Sequence, residues 1–512
     1  MIHFDTVTFS FPHAPEPVLR DFSLTINDGE QVAVMGRNGC GKTTMGMLLA
    51  GILTPQSGQI TVTANGEEDK KPVIGFLFQD PDNGLVATTV EREVAFALEN
   101  QNIPSHQMRP IVDEMLESFD LSAMRSRLVW ELSGGEKQRL SLAGLIAASP
   151  DVLFLDEPSS FLDYRGTQAL NDMLRRIAMH IPHVIIIRIT QFVSVAEDYP
   201  RLLLLGDGAI LRDGKPETLF GDANLMREAQ IKPPLKYRSD ITGETNHQTP
   251  NSPRGEAVLT CENVSFSYEE GKTPLFNNLS LRLHANEVVA LVGSSGAGKS
   301  TLAQLLCGIY DPITGNIQKN SPQIHATMCF QQPERQFYME TVYDEVAYGI
   351  INKSASTTST YDLVRSSLSL AGLNPEKFLK RDPRSLSGGE ARRLAFAVLL
   401  ALDSDIIIFD EPTCGLDDVG IGGFLHTIEL LRQKGKTLVI ISHNSDVLFE
   451  AADRIAVIAQ NHIAYDGQVA EFFTLDEFKG LLETPQVIRC QTGESGAIDI
   501  SRLKSIRLWG EN

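Results

Sequence analysis

Gly36-Arg37-Asn38-Gly39-Cys40-Gly41-Lys42-Thr43, continued by Thr44, and Gly293-Ser294-Ser295-Gly296-Ala297-Gly298-Lys299-Ser300, continued by Thr301, both satisfy the glycine-rich pattern of a phosphate loop. The glycines permit a tight path along which backbone N-H groups converge on phosphate, and the following helix presents its positive N-terminus there. Lys42 and Lys299 are placed to reach the β and γ phosphates, and Thr43 and Ser300 to ligate Mg²⁺. The two lysines stand 257 positions apart, and the strings that follow repeat at nearly the same offset. A repeat of that length predicts two tandem domains rather than a solenoid.

An apolar strand precedes each loop, Gln31 to Met35 and Val288 to Val292, and an apolar-patterned helix follows it. Further on, Val152-Leu153-Phe154-Leu155-Asp156-Glu157 and Ile406-Ile407-Ile408-Phe409-Asp410-Glu411 place two carboxylates at the end of a buried strand. Asp156 and Asp410 are expected in the Mg²⁺ shell, and Glu157 and Glu411 as general bases for the attacking water, a role worth about 10²- to 10⁴-fold in rate. The runs Val184 to Ile189, Leu202 to Leu205 and Thr437 to Ile441 read as further buried parallel strands. Strands alternating with helices predict an α/β core with a parallel sheet.

Leu132-Ser133-Gly134-Gly135-Glu136 and Leu386-Ser387-Gly388-Gly389-Glu390 resemble the signature sequence of ABC ATPases. A serine and two glycines opening a helix form an anion site without a lysine. The resemblance covers most of the chain and implies two tandem ABC-type P-loop NTPase domains, each a RecA-like parallel sheet plus a helical subdomain, which bind ATP and Mg²⁺. It also implies two composite sites, in which Ser387 and Gly389 close on the nucleotide of the first loop and Ser133 and Gly135 on that of the second. By the same resemblance Gln79 and Gln331 are the glutamines that sense Mg²⁺ and water. Asp163 and Asp417 match the D-loop aspartates, and Phe11 and Tyr268 lie where an aromatic ring stacks on adenine, core packing being the other reading of those two rings.

The halves differ at one position of consequence. Ile440-Ile441-Ser442-His443 matches the family's switch histidine, whereas the first half reads Ile189-Thr190-Gln191. Glutamine donates a hydrogen bond but carries no charge and relays no proton as imidazole does. The expectation is slow hydrolysis at the site built on Lys42 and most of the turnover at the site built on Lys299 and His443. Cys40 occupies a variable loop position where any small residue fits.

The repeat predicts a first cassette over 1–222, a linker over 223–256, a second cassette over 257–470 and a tail over 471–512. Ala223 to Pro234 reads as a short helix ended by Pro233-Pro234 and packed on the first cassette, and Ser239 to Gly255 as flexible. The tail reads as helical around Glu471 to Leu482 and strand-like around Gln486 to Cys490. No apolar run approaches the roughly 20 residues a membrane helix needs, and no signal peptide is visible. With 45 Lys+Arg against 65 Asp+Glu, the net charge of −20 opposes broad attraction to nucleic acid or anionic lipid. The six cysteines show no metal-ligand spacing and read as reduced thiols of a cytosolic protein.

Twin cassettes without membrane helices occur in energy-coupling-factor (ECF) importers, in sugar importers with fused cassettes, and in soluble ATPases acting on ribosomes. Phe78-Gln79-Asp80-Pro81-Asp82-Asn83 with Thr89-Val90-Glu91-Arg92-Glu93-Val94-Ala95-Phe96 resembles the ECF and cobalt-type pattern, and Phe330-Gln331-Gln332-Pro333-Glu334 with Thr341-Val342-Tyr343-Asp344-Glu345-Val346-Ala347-Tyr348 repeats it. That resemblance implies a peripheral energy-coupling subunit on the cytoplasmic face of the cell membrane. Its partners would be a transmembrane subunit docking through coupling helices and a substrate-binding membrane subunit for a vitamin or metal ion. A soluble twin-cassette ATPase acting on ribosomes or other cytosolic machinery is the alternative.

Overall fold

The computed structural model describes residues 1–12, 16–63, 71–160, 162–237, 255–269, 274–330, 336–351 and 359–491. Its contacts divide the chain into two compact units, Met1–Arg238 and Ser239–Asn512.

In the first unit a six-stranded sheet runs in the order Ile74–Leu77, Val152–Asp156, Ile185–Ile189, Gln31–Met35, Arg201–Gly206, Ala209–Gly214. The first five strands are parallel and the last is antiparallel to its neighbour. Every residue of Val152–Asp156 and Ile185–Ile189 is buried, as expected of parallel strands covered on both faces. Strand Gln31–Met35 inserts between two strands that come some 150 residues later. The loops that leave three neighbouring strands therefore meet at one sheet edge, where α/β proteins bind ligands.

A second, antiparallel sheet of Leu19–Ile26, Ile2–Phe9 and Ser57–Val62 packs its alternating apolar face on the same core. Helices Val90–Asn100, Ser105–Ser118 and Gly134–Ala147 pack against one another through residues such as Val94, Leu116 and Leu140.

The second unit repeats this plan. Its sheet order is Ala326–Cys329, Ile406–Asp410, Thr437–Ile441, Val288–Gly293, Arg454–Ala459, His462–Gln468, again with only the last strand antiparallel. Leu291 pairs with Ile441 here as Val34 pairs with Ile189 in the first unit, so residues 189 and 441 are equivalent by register.

Three details depart from the sequence reading. Helix Ala223–Ala229 ends at Gln230, which adopts φ 56 as a left-handed cap, ahead of the two prolines; its Leu225 and Met226 pack into the first core. The stretch read as helical from Glu471 breaks into one turn at Val469–Phe472 and a 3₁₀ turn at Asp476–Phe478. Gln486–Gln491, read as a strand, is a helix. The Asp446 carboxylate accepts the Gln486 backbone N-H at 2.7 Å and anchors the start of that helix, a partner 40 positions away that no local pattern reveals. Much of the expected flexible segment, residues 238–254, and the tail beyond 491 lie outside the described residues.

Candidate functional site

Each phosphate loop is built where a strand must turn sharply into a helix. Gly41 (φ 103) and Gly298 (φ 93) precede the helices Lys42–Leu49 and Lys299–Cys307 in left-handed backbone. A Cβ at Gly41 would stand 2.7 Å from Leu19, and one at Gly298 2.6 Å from the Phe276 ring, so only glycine fits. The lysines fold back over their own loops. Lys42 Nζ donates to the carbonyls of Gly36 and Arg37 at 2.7 and 2.9 Å, and Lys299 Nζ to those of Gly293 and Ser294 at 2.8 and 3.0 Å. Both ammonium groups are thereby held at the loop centre.

The hydroxyl and carboxylate expected around a metal ion stand together. Thr43 Oγ1 donates to Asp156 Oδ2 at 2.7 Å, and Ser300 hydrogen-bonds Asp410. Burial pushes Asp156 up to about 6; the Thr43 hydrogen bond opposes this, the Glu157 charge adds to it, and Lys42 pulls it back. Burial raises Asp410 too, against Ser300 and Lys299. A hydroxyl beside a carboxylate starved of counter-charge is an oxygen donor set that fits Mg²⁺, which takes few protein carboxylates and completes its shell with phosphate and water.

Glu157 (φ 45) and Glu411 (φ 47) both adopt left-handed backbone although each precedes a proline, which disfavours it. Such strain in two corresponding positions marks a geometry held by its surroundings. The surroundings differ. Around Glu157, Gln79 Nε2 donates to Oε2 at 3.1 Å, Ser160 Oγ donates to Oε2 at 3.2 Å, and Gln191 Nε2 donates to Oε1 at 2.9 Å. Gln191 also donates to Asn38 Oδ1 of the phosphate loop at 2.9 Å. Around Glu411, the His443 N-H donates to Oε2 at 3.4 Å and the His443 ring lies 3.4 Å from Oε1. Burial pushes Glu411 up to about 8, opposed by the Lys299 charge and reinforced by Asp410.

The remaining predicted residues fall as follows. Ser133 and Ser387 cap helices Gly134–Ala147 and Gly388–Leu402, so Gly135 and Gly389 lie in the first helical turn. Capping boxes set the Glu136 and Glu390 carboxylates against the serine amides at 2.7 and 2.9 Å. Asp163 and Asp417 are also N-caps, accepting from Gly166 and Gly420 at 2.8 and 2.9 Å. Tyr268 is 61% exposed and its hydroxyl lies 2.6 Å from Thr301, which brings that ring beside the second loop. Phe11 is 42% exposed and meets Phe9 edge to face. Gln331 lies outside the described residues. Cys40 is buried, and burial raises its thiol against the Lys42 charge, which disfavours the thiolate.

Sequence reading missed the Arg392 guanidinium, which donates to the carbonyls of Glu411 and Pro412 at 3.2 Å each and to that of Cys414. The arginine after LSGGE was a visible signal, but its target in the turn behind Glu411 was not. Among the described residues no helix is long and apolar enough to cross a membrane.

Comparison with known proteins follows the same division. The family model described as ABC transporter matches residues 19–160 and 276–414. A Methanosarcina mazei protein named "Putative ABC transporter ATP-binding protein" is 30% identical, covering 93% of this chain and 90% of its own. A Bacillus subtilis protein named "Putative HMP/thiamine import ATP-binding protein YkoD" is 28% identical, covering 92% of each chain. Among solved structures, one titled "RNase-L Inhibitor" aligns over 91% of each chain with a TM-score of 0.63 and 21% identity, a likeness of fold.

Proposed function

The chain belongs to the ABC transporter family of ATP-binding proteins, and from that premise we propose that it is the energy-coupling ATPase of an importer of ECF type, acting for a vitamin or metal ion through a separate membrane partner. It is a two-cassette ABC ATPase. The observation that carries the importer reading is the end-to-end similarity to the Bacillus subtilis HMP/thiamine import relative, supported by the sequence around Gln79 and Gln331 described above.

In the proposed chemistry the Lys42 and Lys299 ammonium groups leave their loop carbonyls for the β and γ phosphates of ATP, as incoming phosphate oxygens compete for the same protons. Thr43 with Asp156, and Ser300 with Asp410, would hold Mg²⁺, with Gln79 and Gln331 beside it. When bound, Mg²⁺ supplies charge neutralisation on the β and γ oxygens. Glu157 and Glu411 take the proton of the water that attacks the γ phosphorus; the bond to the β-phosphate oxygen breaks, giving ADP and phosphate. His443 sits where it can pass a proton or charge to that centre, and Gln191 can only orient it. Phe11 and Tyr268 would stack on adenine. Asp163 and Asp417 cap the helices that begin after the turns behind the glutamates. Ser133, Gly135, Ser387 and Gly389 would bind the γ phosphate of the opposite cassette, so that ATP favours the paired state and hydrolysis releases it.

The test is a detergent pull-down of tagged Glu411→Gln protein with ATP from native membranes, read by mass spectrometry. A stoichiometric multi-helix membrane protein is the expected outcome, and a small membrane subunit recovered with it identifies the cargo. Recovery only with ribosomes or other cytosolic machinery overturns the importer reading.

A further inference from the structure

The turn behind each catalytic glutamate is approached by a guanidinium, but from different elements in the two cassettes. In the second, Arg392 of the signature helix donates to the carbonyls of Glu411, Pro412 and Cys414. The equivalent residue of the first is Gln138, which is fully buried and whose Nε2 and Oε1 find no hydrogen-bond partner among the described residues. A buried amide left unsatisfied is costly, and its presence in the place of an arginine requires an account.

The first cassette carries its guanidinium on the strand Ile185–Ile189 instead. Arg188 is 1% exposed, the largest side chain among the fully buried ones. Its NH1 donates to Asn171 Oδ1 at 2.6 Å, its NH2 to Ser159 Oγ at 3.4 Å, and it hydrogen-bonds the buried Tyr199 hydroxyl. It makes no ion pair among the described residues. By strand register its counterpart is Ile440, since Ala33 faces Arg188 as Ala290 faces Ile440. The space is rebalanced to match. Where the second cassette packs Phe396, Phe409 and Phe424 against one another in the same core as Ile440, with the Phe409 ring perpendicular to the other two, the first has Leu142, Leu155 and Leu170.

Arginine fills space, but space alone does not call for a charge. An apolar side chain of similar volume would avoid desolvating it. Three neutral dipoles aimed at one fork, with Gln191 three residues along the chain, just past the end of the strand Ile185–Ile189, and Glu157 two residues before Ser159, indicate a tie between them.

We infer that Arg188 is a positioning residue that braces the turn after Glu157 by tying it to the strand Ile185–Ile189, which leads into Gln191, replacing the brace that Arg392 provides in the second cassette. The consequence for rate rests on the proposed role of Glu157; the brace itself does not.

The test compares Arg188→Ile, Arg188→Lys and the transplant Arg188→Ile/Gln138→Arg in the full chain, following hydrogen exchange of the Ser160 and Leu162 amides. These close the turn on Glu157 O and Ser159 O, both at 3.1 Å. Arg188→Ile should speed their exchange about tenfold relative to the rest of the first unit, Lys should not restore it because it lacks the planar fork, and the transplant should bring it back to within about twofold. Single-turnover ATP cleavage at the first site, read with Glu411→Gln in place, should fall and recover in parallel at unchanged ATP affinity. Unchanged exchange, a uniform rise across the first unit, or a transplant that restores melting temperature but not the two amides would each overturn the inference. A local rise in exchange with unchanged cleavage supports the brace and counts against Glu157 as the base. Should Arg188→Ile not fold, Ser159→Ala removes one contact only, and exchange unaltered there overturns it too.

Discussion

Gln191 donates one side-chain amide to both Asn38 and Glu157, at 2.9 Å each, and so ties the first phosphate loop to its glutamate. The second cassette sets the His443 ring 3.4 Å from Glu411 instead. The first arrangement is a fixed neutral bridge, and the second is one that can carry charge.

The two sites should therefore contribute unequally to turnover. Glu411→Gln is expected to lower steady-state ATPase activity by about 10²-fold, and Glu157→Gln by no more than about threefold. Equal losses in a phosphate-release assay would rule out the asymmetry. Gln191→His should raise the rate left in Glu411→Gln protein.

Nucleotide affinity should depend on both buried lysines. In the proposed chemistry each would trade two carbonyl contacts for charge-assisted bonds to phosphate. Lys42→Met or Lys299→Met should weaken ATP binding at its own site by about 10- to 100-fold, taking ~1.5–3 kcal/mol for a charged hydrogen bond. Titration with a fluorescent ATP analogue would show one of two sites lost; two sites retained at full affinity would contradict the assignment.

A repeated ion network predicts unequal stability losses. Arg454 pairs with Glu287 at 2.9 Å and Asp466 at 2.5 Å, with its side chain 5% exposed. Arg201 pairs likewise with Glu30 and Asp213, but at 23% exposure. Removing a buried partner strands a carboxylate, so Arg454→Met should cost about 3–5 kcal/mol and Arg201→Met about 1 kcal/mol. Denaturant melts that show equal costs would refute the burial argument.

Asp446 predicts a pH dependence with a definite sign. Burial pushes its carboxyl up to about 6, against hydrogen bonds from Gln486 and the charge of Arg489. Because the folded pKa lies above the unfolded one, the folded state binds the extra proton between about pH 4 and 6. Its contribution is present below that window and is lost as pH rises through 6. Asp446→Asn should gain on the wild type by about 1–2 kcal/mol from pH 4 to 7, discounted because the residue is only half-buried. A difference that stays flat or reverses over that range would disprove it.

The sequence by itself determined the tandem repeat, the parallel α/β core, both phosphate loops, the Asp-Glu pairs and the signature serines. Each is a contiguous string whose chemistry is set by backbone conformation within a few residues: glycine before Lys42, a carboxylate pair at the end of a buried strand, a serine before two glycines. Tertiary structure alone decided which side chains meet across the sheet edge. Gln191 reaches Asn38, 153 positions away, because strand Gln31–Met35 inserts beside Ile185–Ile189. The helix Gln486–Gln491 was misread because its anchor, Asp446, is distant in the chain. Arg188 in an isoleucine run looked like one more strand residue, and what it braces depends on Asn171, Ser159 and Tyr199 converging from three other segments. Local pattern encodes backbone conformation, whereas the partner of a buried polar group is set by which distant segments the core brings within hydrogen-bond reach.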